Sequence, residues 1–246
     1  MTESIDLSRR TVLQTAIAAT AVAASGTSQA QLSPEKPIMS IPAFENPSAL
    51  KPLSFDPAKL SGLSEKLIRS HWENNYGGSV KALAAVKKQL ADALATKDTP
   101  PFIYNDLKRE HLLRTGSVVF HEYYFDNLGG SGQAGAKERK TIGDAFGSFD
   151  TWETEFRRIG AGLGGGSGWV VLGYNTHTKQ LENYWMADHG HGPAATLPIL
   201  VMDMYEHSYQ MDYGAAAAKY IDAFFKNIQW EAVALRMESA DRIHRI

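Results

Sequence analysis

The sequence predicts an α+β protein: an N-terminal helical hairpin domain followed by a mixed domain with a three-stranded antiparallel sheet and helices. Three observations predict it. Apolar residues recur at steps of three and four through residues 60–127, the repeat of helices with one buried face. A glycine-rich stretch, residues 128–137, then interrupts the chain, as a connection between two parts does. Beyond residue 167 come short runs of β-branched and aromatic residues separated by turn signals, which mark strands. Helices first and a mixed region after them is an α+β order.

Residues 1–30 stand apart from this pattern. Ser8-Arg9-Arg10-Thr11-Val12-Leu13 precedes an alanine-rich, mildly apolar stretch, and Ser28-Gln29-Ala30 offers small residues for cleavage before Gln31. That is the layout of an export signal peptide. Paired arginines ahead of a modest apolar region resemble a twin-arginine signal, which carries folded proteins across a membrane. The expected location of the mature chain is therefore periplasmic or secreted. Residues 31–55 form a proline-rich arm, because Pro34, Pro37, Pro42, Pro47 and Pro52 follow one another too closely for a helix.

The hairpin domain is assigned to residues 56–133. Leu60, Leu63, Leu67 and His71 share a face, so a helix opens near Pro57 with His71 inside its apolar stripe. Gly77-Gly78 is expected to bend or interrupt it before Val80, Leu83 and Leu90 carry the stripe to about Ala95. Residues 104–127 form the second helix, with Val118, His121, Phe125 and Leu128 on one face. In the second domain, residues 134–246, two short helices are expected over 141–146 and 150–159, the latter capped by Ser148 or Asp150. Strands follow over 168–174, 180–187 and 197–202, then helices over 215–228 and 230–237.

Composition narrows the chemistry. The chain has no cysteine, which excludes disulfides, thiolate metal sites and a cysteine nucleophile. Its net charge is −2, without a basic stripe, which argues against nucleic acid as partner. No run in the mature chain reaches eighteen apolar residues, so no membrane span is expected. A Gly-x-Gly-x-x-Gly match within residues 160–166 follows a helix and precedes a strand, the reverse of a dinucleotide fingerprint. Neither a Gly-x-Ser-x-Gly elbow ahead of a helix nor a His-Glu-x-x-His pair is present.

Eight histidines remain. Taken singly, a histidine on an apolar face is more often a hydrogen-bonded core residue than a ligand. Here His71 and His121 lie on two adjacent helices, while Asp203 and His207 stand four residues apart behind the apolar run 197–202. Three imidazoles and a carboxylate suit iron, manganese or zinc. On the residues alone, metal binding and a polar core both stay open.

Longer matches resolve this into a resemblance. Asp203-Met204-Tyr205-Glu206-His207 is similar to the Asp-x-Trp-Glu-His signature of the iron/manganese superoxide dismutases, and Gly166-Ser167-Gly168-Trp169 to their Gly-Ser-Gly-Trp segment. Phe120-His121-Glu122-Tyr123-Tyr124 resembles the second-helix ligand motif, and His71 the first-helix ligand. The resemblance runs in family order over about residues 55–240. It implies one iron or manganese ion per subunit held by His71, His121, Asp203 and His207, with a solvent molecule as fifth ligand. It implies superoxide as substrate, dioxygen and hydrogen peroxide as products, and a homodimer in which Glu206 hydrogen-bonds a metal-binding histidine of the second subunit. His189, Trp169 and Tyr124 would surround the ligands, with His189 as the partner of the bound solvent.

The departures lie around the ligands. Asn75 stands where the family has a histidine, Ser79 where it has a gateway tyrosine, and Ser117 where its iron enzymes have a glutamine. Tyr76 could supply a phenol to this altered gateway, although an ordinary helix would point it elsewhere. Phe125 and Val171 replace family tryptophans, and Gln210 a tyrosine. Two alternatives therefore accompany the dismutase reading: altered redox activity on the same fold, or a non-catalytic metal-binding dimer.

Overall fold

The computed structural model describes residues 41–45 and 49–244. The expected signal peptide, residues 1–30, and part of the arm lie outside the described residues.

The first helix, α1 (Glu65–Ser70), begins later than expected. Pro57–Lys59 forms only a single 3₁₀ turn, and the helix starts where the Ser64 hydroxyl accepts the Leu67 amide at 3.1 Å, a serine N-cap. A continuous run then passes through a π-helical segment, His71–Tyr76, into α2 (Gly77–Ala95). The expected break at Gly77-Gly78 does not occur. Two glycines cost about 1 kcal/mol each in a helix. Neither is required by crowding: a Cβ on Gly77 would make ordinary contacts with the Trp72 carbonyl at 3.4 Å and Leu50 at 3.6 Å, and one on Gly78 would meet nothing within 4 Å. The irregularity lies six residues earlier, at His71.

The second helix, α3 (Pro101–Asp126), is longer than expected at its N-terminus, because Pro101 takes the first helical position, where a missing amide hydrogen is not needed. It packs along α2. Next come α4 (Ala136–Phe146) and α5 (Phe149–Gly162). Of the two caps considered for α5, Ser148 serves, its hydroxyl accepting the Thr151 amide at 3.0 Å.

The sheet has the order β2-β1-β3, antiparallel throughout. Central β1 (Trp169–Asn175) is buried along nearly its whole length. It is flanked by β2 (Gln180–Met186) and β3 (Thr196–Asp203). Pro198 is tolerated because β3 is an edge strand with a bulge opposite Leu172 and Gly173. A short helix, α6 (Gln210–Tyr213), leads to α7 (Ala217–Lys226) and α8 (Trp230–His244). Helix α3 crosses β3, while α5 covers β1 and meets α7. Residues before and after the glycine stretch share one core, in which Val118, Tyr124, Val201 and Phe224 are buried together.

One close approach ties hairpin to sheet region. A Cβ on Gly116 would meet the His189 carbonyl oxygen at 1.8 Å. Gly116→Ala is expected to push the 188–190 loop away from α3 and cost about 1–3 kcal/mol by overpacking. Urea unfolding checks it, and a variant as stable as the parent would deny that α3 and this loop are in contact.

Candidate metal centre

Asp203 is the last residue of β3, in register with Trp169 at the start of β1. The neighbouring Gly168 has φ +139°, and a Cβ there would strike the Met186 carbonyl at 2.3 Å. Only glycine fits that crossing. The chain then turns sharply. The Tyr205 amide donates to Asp203 Oδ1 at 2.8 Å, and the Ser208 and Tyr220 hydroxyls donate to the Asp203 carbonyl at 3.0 and 2.6 Å. The 3₁₀ turn Glu206–Ser208 brings His207 back.

Three imidazoles therefore meet one carboxylate oxygen. Asp203 Oδ2 lies 3.1 Å from His71 Nε2, 3.2 Å from His207 Nε2 and 3.7 Å from His121 Nε2. The four ligand atoms fall within 4.8 Å of one another. His121 donates from Nδ1 to the Ser117 carbonyl at 2.7 Å, which fixes the tautomer and leaves Nε2 bare. His71 Nε2 reaches Asp203 in distance but not in hydrogen-bond alignment. Both Nε2 atoms are buried without a hydrogen-bond partner. Such an orphan costs about 1–3 kcal/mol, and buried polar atoms are rarely left so. Two of them converging on a buried carboxylate fit a cation between them, and this nitrogen and oxygen set suits iron or manganese.

The electrostatics agree. Burial lowers the His71 imidazole despite the nearby Asp203. Burial, with His71 beside it, brings His121 down to about 3. Both are neutral, the form that binds a metal. Burial alone would raise the Asp203 carboxyl, but His207 and His71 hold it well below the usual carboxylate range.

Around the ligands, Trp169 donates from Nε1 to His189 Nδ1 at 3.0 Å. Neutral His189 must then carry its proton on Nε2. Its ring lies 5.9 Å from His121 and stacks on Tyr205 at 4.7 Å. Tyr205 in turn stacks on His207 at 5.2 Å. Tyr124 sits 5.1 Å from the His71 ring and joins Tyr220 at 3.4 Å. Glu206 is exposed, and of the four converging residues only His207 has an accessible side chain, 26 % exposed.

A cavity of about 480 Å³, lined by Asn75, Ser79, Ser117, His189 and Tyr205, opens onto His121 and His207. Ser79 and Ser117 are buried and bonded to each other at 2.7 Å. Tyr76 is not on this wall. It lines a separate cavity of about 390 Å³ with Lys51, Trp72 and Glu122, so its placement in the gateway is corrected. Tyr205 and Tyr220 also belong to this site. Tyr205 lies inside the Asp203–His207 motif, but nothing in the sequence pattern marks Tyr220.

Residues 134–236 match the iron/manganese superoxide dismutases, C-terminal domain. Over 193 residues the chain is 51 % identical to a superoxide dismutase [Fe] of Cupriavidus metallidurans, covering 78 % of this chain and 98 % of that protein. The chain belongs to the iron/manganese superoxide dismutase family. It is also 33 % identical over 191 residues to a superoxide dismutase [Fe] of Aquifex aeolicus, covering 75 % of this chain and 88 % of that one. To a superoxide dismutase [Mn] of Haloferax volcanii it is 30 % identical over 183 residues, with 72 % and 88 % covered. Among the described residues no helix is long and apolar enough to cross a membrane.

The neutral histidines of this dismutase-family site make stability depend on pH. A folded imidazole held below its ordinary 6.5 binds fewer protons than the unfolded chain at intermediate pH, so stability falls as pH falls. Asp203 acts in the same direction, but only below its ordinary 3.8. Metal-free protein is expected to lose stability as pH drops from 6.5 towards 4, and His121→Asn to flatten that slope. A flat profile in the metal-free parent would contradict the neutral assignment.

Proposed function

We propose that His71, His121, Asp203 and His207 hold one iron or manganese ion and that the chain converts superoxide to dioxygen and hydrogen peroxide. The observation that carries this is the pair of buried, unpartnered Nε2 atoms facing Asp203. When bound, the ion supplies an alternation of oxidation state, accepting an electron from one superoxide and returning it to another. The donor set serves both metals. Iron is favoured by the relative at 51 % identity whose name carries it.

The chain's own residues supply access, orientation and a proton. The Ser79–Ser117 cavity admits a small anion to the ligands. Trp169 fixes His189 so that its Nε2 proton is available for hydrogen bonding within that cavity. Ser117 orients His121 from behind. The edge-to-face rings of Tyr205 and Trp169 cover one flank of the site.

His121→Ala and Asp203→Ala are each expected to abolish both metal content and superoxide turnover. His189→Ala should keep the metal and lose most turnover, since removal of such an outer hydrogen-bonding partner typically costs about 10–100-fold. Metal analysis with turnover per metal on one preparation reads both. Dismutation by metal-free His121→Ala protein would refute the site.

The proposal extends to assembly and location. Exposed Glu206 beside the accessible His207 suits a homodimer in which each Glu206 reaches the other subunit's His207. A carboxylate there would fix the imidazole tautomer and raise its basicity. Export folded through a twin-arginine-type signal rests on Arg9-Arg10 and the apolar stretch after them. Fused to a reporter, residues 1–35 should direct export that Arg9→Lys with Arg10→Lys abolishes; export that survives the double substitution would reject this route.

A further inference from the structure

We infer that Tyr76 is a positioning residue that fixes the spacing of His71 and His121 from the side away from the access cavity. The inference rests on the metal-site assignment above. Tyr76 closes the π segment that His71 opens. In an ordinary α-helix five residues advance about 500°, which would set Tyr76 some 140° around from His71. The wider π turn advances less per residue and swings Tyr76 back towards the His71 side.

There the ring is buried. It stacks on His121 at 6.3 Å and 26°, and meets Phe125 at 6.1 Å. Phe125 lies 5.0 Å from His71. One phenyl pair therefore backs both imidazoles.

The hydroxyl ties three chain segments together. It donates to Glu122 Oε1 at 3.1 Å, on the residue after His121. It accepts the Lys51 amide at 3.1 Å, from the arm. The Lys51 carbonyl accepts Trp72 Nε1 at 2.9 Å, on the residue after His71. The residues that follow two of the proposed ligands are thus joined through the arm and one phenol. Lys51 also pairs with Glu122 by its ammonium, but its side chain is 68 % exposed, so that ion pair adds little. Removing the hydroxyl would leave the Lys51 amide and the carboxylate without this partner. The two ligand-bearing helices could then shift against each other.

The test compares iron-loaded full-chain protein with Tyr76→Phe, Glu122→Gln and Leu90→Val. Leu90 is buried in α2, roughly 28 Å along the helix from His71 by its rise per residue, and serves to lower stability away from the site. Iron release to excess chelator and the visible spectrum of the loaded protein are measured, with thermal unfolding of the metal-free forms. Tyr76→Phe is expected to release iron about tenfold faster and to shift the spectrum. Glu122→Gln should move both in the same direction, which keeps the test open should Tyr76→Phe not fold. Leu90→Val should keep the parent's release rate and spectrum despite its lower melting temperature. Parental release and spectrum in Tyr76→Phe, or release from Leu90→Val as fast as from Tyr76→Phe, would overturn the inference alone. A parent chain that takes up no metal would overturn the metal-site assignment and this inference with it.

Discussion

The arrangement depends on one buried carboxylate. Asp203 is wholly enclosed, and an isolated charge in such a place is costly unless paired. Its Oδ1 is held by the turn that follows it, and its Oδ2 faces three imidazoles from three segments of the chain. Each surrounding feature serves that convergence. The β1–β3 register puts Trp169 beside Asp203, Gly168 permits the crossing, and Gly116 lets α3 lie close enough for His121 to arrive. The polar cluster is tolerable inside a core because most of its members answer one another; both ring nitrogens of His71 and Nε2 of His121 are left without a hydrogen-bond partner.

Much of this was legible in the sequence for a simple reason. His71 and His121 interrupt apolar helical stripes, and Asp203 follows an apolar strand, so their burial could be read from position. The three strands, most helices and the Ser148 cap follow from periodicity and local hydrogen bonding in the same way. The π segment could not be read, because an apolar stripe allows either turn width and the choice is made by packing. The width of that turn decides which side Tyr76 takes, so its side is not legible either, and the break signal of Gly77-Gly78 is overridden by the packing of a continuous helix. The Ser79–Ser117 pair was illegible for another reason: each serine taken alone suits a surface, and only the docking of α2 on α3 buries both. Tyr220, beneath the Asp203 carbonyl, reads from sequence as one more apolar position of α7.

The two departures in the first helix work as a pair. Where the resemblance led one to expect a phenol at the access cavity there is Ser79, and three residues earlier a phenol points the other way, into a bonded network with Glu122 and the arm. The same helical run therefore presents a small hydroxyl to the cavity and a large one to the scaffold. Access and rigidity are divided between two side chains.

The spread of the four proposed ligands along the chain bears on when the site can form. His71, His121 and the Asp203–His207 pair come from segments far apart in sequence, and contacts between distant segments close late, because the intervening loops must first be ordered. The hairpin can bring two imidazoles together early through local helix pairing. The carboxylate arrives only when the sheet has closed its β1–β3 ladder. The full coordination set is thus a late product of folding, and an ion captured there meets a nearly finished scaffold.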